Sequence, residues 1–141
     1  MKRAFLATAA LLAQGCGTVC NEMYVYDHLA VSIESAGWVD GSYEVELSGD
    51  LDVSCAMDLA DGQASAASCE DEDVDLLWAV QDETMRIEIR DPLPEYLHVA
   101  LLLDGDEIAT QVFEPTYEID EPNGEGCGER VSATELWNPS D

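Results

Sequence analysis

Five cysteines, two histidines and 31 carboxylates are the residues of this 141-residue chain that could do chemistry. The cysteines are Cys16, Cys20, Cys55, Cys69 and Cys127, and the histidines are His28 and His98. Without a C-x-x-C pair, and with so few histidines, a structural zinc site is poorly served. Oxidation is the better use of the thiols. An odd cysteine count in an exported chain leaves one thiol to explain. If Cys16 is modified, four remain for two disulfides in an oxidising compartment. Four cysteines allow three connectivities. Cys55 and Cys69 lie fourteen residues apart and flank a loop of small and acidic residues. The natural pairing is therefore Cys55–Cys69, with Cys20–Cys127 tying the two ends of the domain together. A closed loop of about 15 residues is worth roughly 3 kcal/mol in the chain-entropy model.

The carboxylates suggest calcium, which takes several oxygen ligands from flexible loops. Three acidic loops have the composition: Glu70 to Asp75, Asp104 to Glu107 and Asp120 to Glu125. Candidate ligands are Asp71, Asp73, Asp104, Asp106 and Asp120. None of the loops has EF-hand spacing, and a solvated acidic turn is the simpler reading of each. Nucleophilic catalysis has little to stand on, for there is no G-x-S-x-G and only two histidines to act as base. With 31 acids, pairs of carboxylates arise by chance, so no glycosidase-like pair is singled out. Trp38, after Gly37, and Trp137, near the C-terminus, are open to exposure and invite a carbohydrate-stacking role, though nothing in their spacing makes them neighbours; Trp78 lies in an apolar run and reads as core. No catalytic residue and no obligatory cofactor is expected, Ca²⁺ being the one ion considered.

Cys16 has its own context. Lys2 and Arg3 are followed by the apolar run Ala4 to Ala13, too short to span a bilayer as a helix and suited to the h-region of a signal peptide. Leu12-Ala13-Gln14-Gly15-Cys16 places small residues before the cysteine, as at a signal-peptidase site of the A-x-A type, after which the chain is secreted, or as in a bacterial lipobox, where the cysteine is acylated; both cut the same bond. The expected organisation is a signal peptide at 1–15, a lipid-anchor tether at 16–22 and a domain at 23–141. Cleavage before Cys16 would remove Lys2 and Arg3 and no acid. The mature chain would then set 31 acids against Arg86, Arg90 and Arg130, a net charge of −28, compared with −26 for the whole chain. Such a surface has no basic face for nucleic acid and no charge attraction to anionic lipid.

The elements that must position these groups read as strands. Leu29, Val31 and Ile33 alternate with Ala30, Ser32 and Glu34. Tyr43, Val45 and Leu47 alternate with glutamates, and Leu51, Val53, Cys55 and Met57 follow after Gly49-Asp50, the pattern of a hairpin of half-buried strands. Residues 58–73 break the pattern. Val74 to Val80, Thr84 to Arg90, Tyr96 to Leu103, Glu107 to Phe113 and Glu129 to Trp137 complete the set, with Pro115 to Ile119 as an edge segment. Asp61-Gly62, Asp104-Gly105 and Pro122-Asn123-Gly124 mark turns. Seven or eight short strands at spacings of about 8–12 residues predict an all-β, antiparallel β-sandwich.

The export segment, Cys20 close behind the processing site, the strand-rich middle and the tail Pro115-Thr116-Tyr117…Pro122-Asn123-Gly124…Cys127-Gly128…Ala133 together resemble small secreted lipoproteins of myxobacteria and their relatives. That resemblance implies an immunoglobulin-like or transthyretin-like (carboxypeptidase-regulatory-like) sandwich, held by an N-terminal lipid in the bacterial cell envelope, at the outer membrane. It transfers no activity. The expected role is non-enzymatic, structural or in protein interaction, with envelope proteins or polysaccharide as partners. A calcium-dependent carbohydrate- or protein-binding module is the alternative.

Overall fold

The computed structural model describes Cys20 and residues 25–139, and every regular element in them is a β-strand. In chain order these are β1 (His28–Glu34), β2 (Gly41–Gly49), β3 (Val53–Ala60), β4 (Gln63–Ala64), β5 (Ser68–Cys69), β6 (Val74–Ala79), β7 (Thr84–Ile89), β8 (Leu97–Leu103), β9 (Asp106–Phe113), β10 (Glu118–Asp120) and β11 (Arg130–Trp137). Eight are long, as the alternation predicts. The other three, β4, β5 and β10, have only two or three residues, too few to show a period, and β10 overlaps the edge segment expected at Pro115 to Ile119. Two of them lie inside residues 58–73, the stretch expected to be irregular, and β3 itself runs on to Ala60. The leader 1–15, Cys16 and the rest of the tether apart from Cys20 lie outside the described residues.

The strands form two sheets. Sheet A has the order β10-β11-β1-β7-β6, and sheet B the order β4-β3-β2-β8-β9, with β5 also paired to β3. One residue in two turns inward. Leu29, Val31 and Ile33 of β1, with Met85, Ile87 and Ile89 of β7, meet Tyr43, Val45 and Leu47 of β2 and Leu97, Val99 and Leu101 of β8 in one apolar cluster. Among the described residues no polar or charged side chain is buried. The sandwich is held by apolar area at roughly 25 cal/mol per Å² rather than by interior ion pairs.

One pairing departs from the antiparallel expectation. β1 and β11 run parallel, from His28 opposite Ser132 to Ile33 opposite Trp137. Alternation of side chains is the same in both kinds of ladder, so the sequence pattern does not encode direction. A parallel pair needs a long connection, and here the connection is nearly the whole domain.

Two of the expected turns close hairpins in their tightest form. Asp61 and Gly62 join Ala60 to Gln63, and Asp104 and Gly105 join Leu103 to Asp106, with all four residues at positive φ. This is the conformation for which Asp-Gly is selected in two-residue turns. Gly49 is required for a different reason. A Cβ there would lie 2.7 Å from the Tyr96 carbonyl oxygen at φ +95°, so any side chain would push β2 from the chain entering β8.

Trp137 is buried, edge-to-face on Phe113 at 6.4 Å, which corrects the expectation that it is exposed. Trp38 is half-buried and packs on Trp78 at 5.4 Å and on Tyr43 at 5.3 Å. Both indoles of that pair donate to loop carbonyls, Trp38 to Glu83 at 2.6 Å and Trp78 to Gly62 at 3.1 Å. These tryptophans close one end of the sandwich instead of offering a stacking platform.

Candidate functional site

Strand direction sorts the loops into two ends. β1 and β11 begin at one end, so residues 25–27 and the loop carrying Cys127 lie together there, and the Asp27 carboxylate accepts from the Val131 N–H at 2.8 Å. Cys20 is bonded to Cys127, with Cα atoms 5.5 Å apart. At the opposite end the loop 35–40 meets the tips of three hairpins. Asp40 accepts from the Asp61 N–H at 2.9 Å, and Asp104 accepts from the Ser42 N–H at 2.9 Å. The second disulfide, Cys55–Cys69, staples β5 across from β3, the two residues being direct partners in the ladder.

The candidate calcium ligands do not come together. Asp71 and Asp73 precede β6, at one edge of sheet A, and Asp120 ends β10 at the other edge. Four strand spacings separate those edges, about 19 Å. Asp104 and Asp106 lie at the opposite end, on the β8–β9 turn. Several of these carboxylates already have partners. Asp71 accepts from the Asp73 N–H at 2.8 Å, Asp104 from Ser42 as above, and Asp120 takes both arms of Arg130 at 3.0 and 2.6 Å. Among the described residues no group of three or more histidines, cysteines or acids is arranged to hold a metal.

The outer faces of the two sheets carry what the sequence reading missed. On sheet A, register sets Glu88 directly opposite both Ala30 and Asp75. Two carboxylates facing each other across a ladder repel, and cations gather around them. Arg90 pairs with Asp75 and also donates to the Glu72 carbonyl, and Arg86 stands 3.8 Å from Glu88. The Tyr26 hydroxyl donates to Glu88 at 2.9 Å, and the Arg90 guanidinium lies 5.9 Å from the Tyr26 ring centre. The Tyr26 phenol is consequently raised above its ordinary pKa, chiefly by its bond to Glu88, and Arg90 is raised by its bond to Asp75. Next to this cluster an open groove of about 650 Å³ runs past Ser32, Glu34, Thr84, Arg86 and Asn138. Hydroxyls, an amide, a guanidinium and carboxylates in one groove suit a polar, hydrogen-bonding contact.

Sheet B has no arginine or lysine. Its outer groove, about 490 Å³, is lined by Glu46, Asp52, Glu70, Glu107 and His98. His98 Nδ1 and the Ser48 hydroxyl are 3.1 Å apart. A hydroxyl and an imidazole in contact are two parts of a nucleophilic device, but the other ring nitrogen has no orienting acceptor among the described hydrogen bonds. His28 Nδ1 lies 3.3 Å from the Tyr26 carbonyl, where it steadies the entry to β1. Both histidines therefore have local structural partners.

Register brings Asp75 opposite Glu88 and beside Arg90, so sequence spacing alone does not announce the sheet A cluster. A partial signal is in the sequence: Arg86, Glu88 and Arg90 alternate with Met85, Ile87 and Ile89 and so share the outer face of one extended run. No protein-family model, curated protein or solved structure matches this chain.

Proposed function

We propose that the chain is an exported lipoprotein of the bacterial cell envelope, anchored at the outer membrane through Cys16, whose sandwich serves a non-enzymatic structural or protein-interaction role. The supporting observation is the Cys20–Cys127 bond. Cys20 is four residues beyond Cys16, a reach of at most about 14 Å. A lipid on Cys16 therefore holds the end of the sandwich that carries Cys127 against the membrane. The end carrying Trp38, Asp61 and Asp104 then faces away from it. The parity of the cysteines and the lipobox-like run point the same way. At the finer level of fold, an immunoglobulin-like or transthyretin-like sandwich belongs to the same proposal, supported by the eight long strands in two sheets.

Intact-mass analysis of membrane-extracted protein tests the proposal. Acylation at Cys16, with Cys16→Ser releasing the protein from the membrane fraction, is the expected result. An unmodified Cys16, or an unchanged distribution of the variant, overturns it.

A further inference from the structure

An open sheet has edges, and an uncovered edge is a template for another strand. Three edges of this sandwich are blunted. β10 offers three residues, of which two are Glu118 and Asp120. β4 and β5 have two residues each, and β5 is bonded to β3 through Cys69. β9 begins Asp106-Glu107 and its register shifts at Leu101/Leu102.

β6 carries a single charge, Asp75, which Arg90 pairs, and none of the other devices. It is six residues long, in unbroken register with β7, and contains no proline or glycine. The Arg90 N–H donates to the Asp73 carbonyl at 2.9 Å. Asp73 and Arg90 are thus a hydrogen-bonded pair, and by alternation the backbone groups of Asp75, Leu77 and Ala79 also face β7. Those of Leu76 and Trp78 point away from the sheet and make no hydrogen bond among the described residues. Beside them lies a groove of about 210 Å³ with Leu76, Leu77, Trp78 and Val80 on one side and Met57, Ala64 and the polar Gln63 and Ser65 on the other. Leu77 and Val80 are 47% and 48% exposed. Acids stand at both ends of the strand: Glu70-Asp71-Glu72-Asp73 before it and Asp82-Glu83 after it.

From these observations we infer that β6 is a strand-addition site for an extended segment of a cationic partner protein. Main-chain bonds to Leu76 and Trp78 give the alignment. An apolar side chain enters the groove, and lysines or arginines on the flanks meet the two acidic runs. Charge complementarity selects this occupant over a second copy of the chain, which brings the same net charge of −26 to the edge. The inference rests on the interaction role proposed above for its setting. Its test reads β6 directly, so failure here leaves the anchoring result standing.

The experiment adds a synthetic peptide of alternating lysine and valine to the full chain at about 0.15 M salt, where surface charge is screened beyond roughly 8 Å. Amide hydrogen exchange at Leu76 and Trp78 is expected to slow by about tenfold or more at saturation, while a fully N-methylated peptide, lacking donors, binds about tenfold more weakly. Leu77→Lys, an exposed substitution that keeps the fold, is expected to weaken binding by a similar factor through repulsion at the edge. Three results overturn the inference. They are equal binding of the N-methylated peptide, which is charge attraction alone; unchanged exchange at Leu76 and Trp78; and protection of those amides that rises with protein concentration without peptide, which makes the occupant a second copy.

Discussion

The outer faces of the two sheets solve the same electrostatic problem in different ways. On sheet B the acids are kept apart by register. Glu44 lies between Ala56 and Leu102, and Glu46 between Ser54 and Ala100, so that neither meets a carboxylate directly across the ladder. On sheet A two carboxylates, Asp75 and Glu88, do face each other, and two of the three arginines among the described residues are placed around them. The third, Arg130, faces Asp120 on the same sheet. With so few cations, compensation is local to one sheet. Dispersion and a covalent staple serve the other. What the difference teaches is that net charge alone does not say where repulsion is felt; the register decides which acids meet.

The largest test of this contrast is the staple. Replacing Cys55 and Cys69 together by serine is expected to cost about 3 kcal/mol, a fall in Tm on the order of 10 °C for a domain of this size. Calorimetry of the double variant measures it. Because sheet B has no cation to fall back on, the loss should be greater at low salt than at high salt. A loss that is the same at both would show that the staple and the charges are independent.

Arg90→Gln comes next and addresses sheet A. It leaves Asp75 opposite Glu88 without its cation, and is expected to cost about 1 kcal/mol, since the pair is partly exposed. Adding Asp75→Asn should recover much of that loss, and a double-mutant cycle in urea reads the coupling. A cost that Asp75→Asn does not reduce would mean that Arg90 acts by packing or through the Glu72 carbonyl instead.

A clamp that owes nothing to either face is Tyr117, whose hydroxyl donates to the Pro94 carbonyl at 2.6 Å and so ties the approach to β10 in sheet A to the approach to β8 in sheet B. Tyr117→Phe is expected to cost about 1 kcal/mol. Burial, with Asp50 and Glu135 nearby, pushes this phenol up to about 12. A raised pKa means that the folded state keeps the proton longer than the unfolded chain. The contribution is therefore whole below about pH 10, the ordinary tyrosine value, and is lost as pH rises from there through about 12. An alkaline unfolding series should show a loss of stability that begins near pH 10 and continues through about 12, and Tyr117→Phe should flatten that part of the curve.

The smallest effect is that of salt. Raising NaCl from near zero to a few tenths molar is expected to raise Tm by a few degrees, because screening over about 10 Å at 0.1 M weakens like-charge repulsion. Amide exchange should slow more on sheet B than on sheet A, where salt also weakens the arginine pairs. Equal slowing on both sheets would remove the distinction between them.

Much of this fold is written in the period of the side chains. The hairpin of β2 and β3 follows from Tyr43, Val45, Leu47 and Val53, Cys55, Met57, and the two Asp-Gly pairs mark its continuation and the β8–β9 turn. Cysteine spacing favours Cys55–Cys69 among three connectivities, because the loop between them is short and Cys55 falls on the core face of its strand. β4 and β5 were illegible because two residues carry no period. The parallel pairing of β1 with β11 was illegible because alternation has no direction. Trp137 was misread because nearness to the C-terminus suggested exposure, whereas the last strand enters the sheet beside β1. The free edge of β6 and the cluster around Glu88 depend on which strands are neighbours, and no local pattern of residues states that.

The parallel pair and the bond between Cys20 and Cys127 together set a load path. A pull between the segment before Cys20 and the residues after Trp137 enters the protein at Cys20, crosses to Cys127 and leaves along β11. Residues 21–126 are bypassed, so of the long strands only β11 lies on the covalent path of that pull. With that bond reduced, the same pull enters through β1 and leaves through β11, two strands side by side and pointing the same way. Their ladder, from His28 with Ser132 to Ile33 with Trp137, is then loaded in shear, all rungs at once rather than one after another.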